Sequence, residues 1–352
     1  MNKIDELLEI GIKNKVFSAA SAGVYYNGNK FIWNKLDDVY KNYFDLASLT
    51  KPLCTSLILV SLINDIQINL DDNLCDYFDT KIKCKIKNLL NHSSGFVSYR
   101  NYYNILYSNP IIFRKDKLLS YLLSEQQEYE CGQNSCYSDL DFMLLGFLIE
   151  KVSGRNIQSY FEEKILGPLN LSDDIFFQPL DRPHHDINLC IPSENCPNRN
   201  KLIQGEVNDE NCWIMGGIGG HAGLFGDISS VMTLAEAILS IWKGRIEHPS
   251  LPRPLLTHFL KRHDEKIGSG WAYGFDTPSK GKSSSGKYFS ERSVGHLGFT
   301  GTSFWIDPEK DMIVVLLTNR TIYGRDNHKI KEFRPYFHDT LIEETIGKNF
   351  KG

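Results

Sequence analysis

Residues 52–63 read Pro-Leu-Cys-Thr-Ser-Leu-Ile-Leu-Val-Ser-Leu-Ile and leave this chain little freedom. Leu53, Leu57, Ile58, Leu59, Val60, Leu62 and Ile63 fall on every side of a helix. That pattern predicts a helix buried all round, with the rest of the fold laid over it. Directly before it stands Ser48-Leu49-Thr50-Lys51. Helix positions three apart share a face, so a hydroxyl and an amine sit side by side at the start of a buried helix. A serine hydroxyl is a weak nucleophile until a neighbour takes its proton, and a lysine removed from water can be that neighbour. Short S-x-x-K matches recur by chance, so the rest of the chain has to give this one its weight. Pro52 is tolerated early in a helix but disfavours helical geometry at Lys51. The first turn is therefore expected to be irregular.

The chain of 352 residues suits one large domain or two lobes. A formal net charge of -4 argues against nucleic acid or a polybasic membrane surface as partner. The first ten residues form an amphipathic pattern without the apolar core of a signal peptide. The longest apolar-rich run, around Leu53–Ile63, is interrupted by Thr55, Ser56 and Ser61, so no membrane span is expected. A soluble, cytoplasmic protein is the expectation. Eight cysteines occur without a secretion signal and read as free thiols, with Cys54 a packing residue of the buried helix. Neither Cys131/Cys136 nor Cys190/Cys196 matches a common zinc spacing, and no metal or organic cofactor is expected.

Residues 3–14 predict a helix, and Ala22–Tyr26 and Lys30–Trp33 predict a hairpin about Asn27-Gly28-Asn29. Residues 65 to about 260 read as helices and loops. They include a helix over Asp139–Val152 with Gly154 at its end, a loop over Cys190–Asn200, and a helix from about Ser229 to Trp242. Strands follow at Ser293–Phe299, Thr302–Ile306 and Met312–Thr318, with a final helix over about Arg334–Ile346. The expected class is α+β: one antiparallel sheet built from both chain ends and flanked by helices, with a mostly helical insertion. As one domain over 1–352, it divides into an α/β lobe of about 1–64 and 265–352 and a helical lobe of about 65–264.

Two further segments fall in line with Ser48 and Lys51: Tyr137-Ser138-Asp139 and His296-Leu297-Gly298. Their order resembles the penicillin-recognising serine hydrolases: class C β-lactamases, D-alanyl-D-alanine carboxypeptidases and related esterases. Asn88-Leu89-Leu90-Asn91-His92-Ser93-Ser94-Gly95 resembles a shared stretch of that family, as does Gly298-Phe299-Thr300-Gly301-Thr302 with Trp305-Ile306-Asp307-Pro308. The resemblance covers roughly residues 15 to 345 and implies a β-lactamase/transpeptidase-like fold. It makes Ser48 the nucleophile, Lys51 and Tyr137 its proton carriers and His296 an active-site residue. The N–H groups of Ser48 and Phe299 become the oxyanion donors. A tyrosine ordinarily titrates near about pH 10, so Tyr137 needs a cation such as Lys51 close by to act as a base.

Two departures stand out. Asp139 occupies a position where many relatives carry asparagine, and its charge would pair with Lys51 and oppose an acidic ligand. Leu297 removes a hydroxyl that would contact a substrate carboxylate. Both point away from β-lactam turnover. Gly298 would let substrate backbone approach. His92 reads as a turn-fixing residue, and His221, in the glycine-dense run 216–223, as a candidate lining the cleft. Asn208-Asp209-Glu210 and Arg334 are further candidates. Arg320 and Arg325 could grip a carboxylate. The glycine-dense run and Thr318-Asn319-Arg320 resemble a branch associated with cell-wall fragment recycling. The expected activity is therefore amide or ester cleavage through a covalent acyl-enzyme on a small molecule or peptide, a muropeptide-like fragment foremost. A small-ester hydrolase and a non-catalytic peptidoglycan-fragment-binding protein are the alternatives.

Overall fold

The computed structural model describes residues 3–36, 42–263 and 268–347. The expected boundary at 264/265 and the last five residues of the expected α/β lobe lie outside the described residues. Around Asn27-Gly28, β1 (Ala20–Tyr26) and β2 (Asn29–Lys35) pair antiparallel. Both turn residues have positive φ, 46° and 86°, the mirror-image turn whose twist matches that of the strands. From the far end of the chain come β3 (Val294–Leu297), β4 (Ser303–Asp307) and β5 (Met312–Thr318). They complete an antiparallel sheet in the order β2-β1-β5-β4-β3.

β5 is buried along its whole length because it feeds two cores, as expected of a central strand covered on both faces. Met312, Val314 and Leu316 meet residues of α1 (Lys3–Lys13) and of the final helix, Ile330–Ile346. Ile313, Val315 and Leu317 join the larger core containing the apolar helix and helix Ile228–Trp242. The latter helix falls within 65–264 in sequence yet packs on the sheet, with Met232 against Gly23.

The apolar helix enters through a 3-10 turn over Ala47–Leu49, widens into a π-helical turn over Lys51–Ser56 and becomes regular in α2 (Leu57–Asn64). This is the irregular entry that Pro52 implied. Ala47–Asn64 is long and apolar enough to cross a membrane by length and composition, but 83% of it is buried inside the fold, as in a core helix. Immediately upstream, Phe44–Asp45 is an edge strand of a small sheet with Leu224–Gly226 and Ile175–Phe177. That sheet anchors the chain just before Ser48.

Two local expectations are corrected. The stretch 190–200 is not wholly loop: Glu194–Cys196 pairs with Lys201–Ile203 in a short hairpin whose turn uses Asn200 at φ 49°. The final helix begins a turn earlier than expected and runs through Pro335, because Ile330 and Phe337 are both buried in the same core.

Candidate active site

The two halves of the S-x-x-K motif meet. Lys51 Nζ donates to Ser48 Oγ at 2.9 Å, to Asp139 Oδ1 at 2.7 Å and to the His221 carbonyl at 3.2 Å, and it lies 2.7 Å from Tyr137 OH. Tyr137 OH in turn donates to Ser48 Oγ at 2.9 Å. Lys51 is fully buried. Its helix carries no other cation, and the apolar side chains around it hold the amine against these oxygens.

Tyr137 arrives on a segment laced to residues 92–95. The Gly132 N–H donates to the Ser93 carbonyl at 2.7 Å and the Cys136 N–H to the His92 carbonyl at 2.8 Å. His92 holds the turn, as expected: it has φ 58°, its ring lies 4.8 Å from the Tyr137 ring, and its Nδ1 accepts from the Ser138 N–H at 3.2 Å. Asp141 Oδ2 is 3.0 Å from the same nitrogen. Burial drives the imidazole well down and the carboxyl well up, so they meet as neutral groups rather than as an ion pair. The helix α3 (Asp139–Ser153) starts at Asp139, whose carboxylate turns to Lys51, while the preceding Ser138 donates its hydroxyl to the Val97 carbonyl at 2.7 Å and makes no cap bond.

The charges of the cluster follow from burial and contact. Burial alone would lower the Lys51 ammonium, but the Asp139 carboxylate and Tyr137 against it carry it above the ordinary lysine range. Tyr137 behaves contrary to expectation. Burial first and the Asp139 charge second push its phenol up to about 12, outweighing the nearby ammonium. At rest the cluster is therefore an ammonium–carboxylate pair with a neutral phenol and a neutral serine.

β3 delivers the third motif. His296 lines the same cavity as Ser48, with Nδ1 donating to the Leu297 carbonyl at 2.8 Å. Among the described residues its Nε2 has no hydrogen-bond partner. Burial, then the Lys51 charge, lowers its pKa to about 3, so it is a neutral acceptor. Packing alone requires glycine at 298. A Cβ there would lie 2.0 Å from Thr302 Oγ1 and 2.9 Å from the Leu46 carbonyl, so only glycine lets the end of β3 close on the Ser48 segment. Leu297, Gly298 and Phe299 line the cavity. Among the described residues, the N–H groups of Ser48 and Phe299 have no hydrogen-bond partner.

Arg320 does not reach the cavity, which corrects its expected role as a substrate ligand. It is buried. Its guanidinium donates to the carbonyls of Phe299 (2.7 Å), Arg325 (3.0 Å) and Asn327 (2.8 Å) and covers the Phe299 ring, which fixes the loop carrying Phe299. Arg334 is likewise structural, donating to the Gly301 carbonyl at 3.0 Å. Arg325 lines the cavity but is already paired with Glu194 (2.7 Å) and Glu210.

The cavity encloses about 680 Å³. His221 lines it as expected, with Nε2 2.9 Å from Asp209 Oδ1. Burial works against the Asp209 charge, but His221 beside it keeps the carboxyl below its usual range. The glycine-dense run presents His221 by passing over α3. A Cβ on Gly220 would lie 2.3 Å from the Phe142 carbonyl.

Sequence reasoning missed several groups. Trp271, Tyr99 and Asp276 also line the cavity. Burial raises Asp276 to about 7, and among the described residues it has no ion-pair partner. Asp45, fully enclosed, accepts from the Ala47 N–H at 2.8 Å and the Asn208 N–H at 2.6 Å, tying the Ser48 segment to the 208–210 segment. Ala47 itself sits at φ 48°, a strained placement directly before the nucleophile. Nothing in the spacing of these residues marks them. Only Asn208-Asp209-Glu210 carried a signal, as a polar run outside any helix pattern.

A buried serine–lysine–tyrosine cluster at a helix start, facing the end of an antiparallel sheet, defines a serine hydrolase of the β-lactamase/transpeptidase type. The Beta-lactamase family profile matches residues 10–334, and the chain belongs to that family. It is 29% identical over 328 residues to a protein of Escherichia coli (strain K12) named "Putative D-alanyl-D-alanine carboxypeptidase", covering 86% of this chain and 74% of that one. Among solved structures it resembles the octameric penicillin-binding protein homologue from Pyrococcus abyssi, with TM-score 0.73 and 18% identity over 99% of this chain and 78% of the other. It also resembles EstCE1, a hydrolase with promiscuous acyltransferase activity, with TM-score 0.68 and 18% identity over 94% of this chain and 97% of the other. These two likenesses concern the fold.

Proposed function

We propose that the protein hydrolyses an amide bond in peptidoglycan-derived fragments through an acyl-enzyme on Ser48. The observation that carries this reading is the contact of one buried amine, Lys51 Nζ, with Ser48 Oγ, Tyr137 OH and Asp139 Oδ1, all within 2.9 Å. Ser48 Oγ attacks the carbonyl carbon. Its proton passes into the Lys51–Tyr137 pair, and the Asp139 carboxylate at the end of that chain accommodates the added proton. The free N–H groups of Ser48 and Phe299 receive the developing oxyanion. The same cluster returns the proton to the leaving amine. Water then repeats the sequence on the ester and releases the acyl group.

The resemblance to carboxypeptidase-named relatives supports a cell-wall peptide as substrate. The cavity narrows that class. Asp139, Asp209, Glu210 and Asp276 line it against one lining cation, Arg325, so a carboxylate next to the scissile bond is disfavoured. This lining supports an amide whose neighbouring groups are hydroxyls, amides or an ammonium over a β-lactam or an acyl-D-Ala-D-Ala substrate. The test is incubation of purified protein with muropeptide amides, simple chromogenic esters and nitrocefin. Release of free amine from the muropeptides supports the proposal. Fast ester cleavage with intact muropeptides would make the protein an esterase, and efficient nitrocefin hydrolysis would contradict the reading of Asp139 and Leu297.

A further inference from the structure

The Cys84 and Cys131 sulfurs lie 2.9 Å apart, although 47 residues separate them in sequence. All eight cysteines are free thiols, and this pair takes no part in the hydrolytic chemistry. Cys84 is buried in the main core, held where Leu74 N–H donates to its carbonyl at 2.8 Å. Cys131 is half-buried, on a segment whose next exposed residues are Gln133 and Asn134. We propose that Cys131 and Cys84 form a thiol–disulfide exchange site that takes a low-molecular-weight disulfide and closes to an internal disulfide.

The division of labour follows from position. Cys131 is the sulfur an external reagent can reach, and Cys84 is the one enclosed behind it. The Cys84 thiol beside Cys131, with the Lys85 N–H and charge, brings Cys131 below the ordinary thiol range against the effect of its own burial. The Cys131 thiolate attacks one sulfur of the external disulfide and expels one thiolate, leaving a mixed disulfide on Cys131. Cys84 then loses its proton and attacks the Cys131 sulfur, expelling the second external thiolate. The external disulfide is reduced to two thiols, and the two protein thiols are oxidised to one disulfide. Little backbone motion is needed, because the sulfurs are already in contact.

The bond would tether a functional segment. Cys131 begins the stretch that crosses residues 92–95 and ends at Tyr137. Its ties to residues 91–95 are hydrogen bonds from Gly132 N–H to the Ser93 carbonyl (2.7 Å), Ser135 Oγ to the Asn91 carbonyl (3.5 Å) and Cys136 N–H to the His92 carbonyl (2.8 Å). A covalent link at Cys131 would hold the segment that places the tyrosine hydroxyl on Ser48. The inference does not depend on the substrate proposed above.

The experiment treats the reduced full chain with oxidised glutathione, followed by intact mass and peptide mapping. The expected result is loss of two hydrogens and a single link between the Cys84 and Cys131 peptides. Protease cleavage within residues 124–136 should be slower in the linked form. Cys84→Ser should stop at a glutathione adduct on Cys131, and Cys131 should react at least about tenfold faster than the exposed Cys75. Absence of the link in the wild type, or an adduct on Cys75 before Cys131, would overturn the proposal without bearing on the hydrolase reading.

Discussion

Replacing Asp139 with asparagine should invert the pH dependence of stability in the alkaline range. Lys51 is fully buried, and its carboxylate partner is Asp139 Oδ1 at 2.7 Å. In the wild type, burial opposes the ammonium, but Asp139 and Tyr137 carry it above the ordinary lysine value. A group raised in the folded state contributes stability that is complete below its unfolded value, about pH 10.4, and is lost as pH rises further. In Asp139→Asn the carboxylate is gone and burial remains, so the folded value falls below the unfolded one. The unfolded chain then binds the extra proton, and stability rises with pH up to about 10.4, by as much as about 1.4 kcal/mol per pH unit. Removing one partner of a buried pair costs about 3–5 kcal/mol when the other stays charged. Lys51 limits that loss by giving up its proton, and Asp139 retains 18% exposure, so a loss of about 2–4 kcal/mol near pH 7 is expected. Urea unfolding of both proteins from about pH 7 to 9.5 follows Lys51, because titrations remote from Asp139 cancel in the difference. The two curves should converge as pH rises. Parallel curves, or a loss under about 1 kcal/mol, would refute Asp139 as the counter-ion of a buried ammonium.

Tyr137→Phe removes a hydroxyl 2.9 Å from Ser48 Oγ, and steady-state turnover should fall about 10²–10³-fold while the thermal midpoint barely moves. Gly298→Ala brings a Cβ to 2.0 Å from Thr302 Oγ1 and 2.9 Å from the Leu46 carbonyl. Denaturant unfolding should show a loss of about 1–3 kcal/mol, with lower kcat from the displaced Phe299 loop. Asp276, raised by burial to about 7, becomes charged as pH rises through neutrality. The KM of an ammonium-bearing ester should therefore fall severalfold from about pH 6 to 8, and Asp276→Asn should flatten that profile. His296, lowered by burial and Lys51 to about 3, should contribute no limb to the pH–rate curve in that range.

Much of this arrangement was legible because its signals are local. The all-round apolar run 52–63 announced a core helix, Asn27-Gly28 a hairpin, and Pro52 an irregular entry. Ser48 and Lys51 meet at their three-residue spacing even through the 3-10 and π-helical entry, and the family resemblance supplied Tyr137 and His296. What escaped notice depends on long-range packing. Asp276 enters the cavity only because its backbone pairs with Gly295 beside His296. Asp45 matters only because the chain folds Asn208 against it. Arg320 looked like a substrate ligand from its place in the loop after a strand near His296, but the carbonyls that capture it come from two separate loops, Phe299 after β3 and Arg325 and Asn327 after β5. The protonated Tyr137 was also invisible in sequence, because its direction depends on burial and Asp139 outweighing an ammonium at hydrogen-bond distance.

The central claim is that Ser48 is the acyl-accepting nucleophile. The most direct test is mass mapping after reaction with a fluorophosphonate, in the wild type and in Ser48→Ala. A single adduct on the Ser48 peptide, absent from a folded Ser48→Ala variant that has also lost at least about 10³-fold in chromogenic ester turnover, is the predicted result. An adduct on another residue, or turnover preserved in Ser48→Ala, would contradict it.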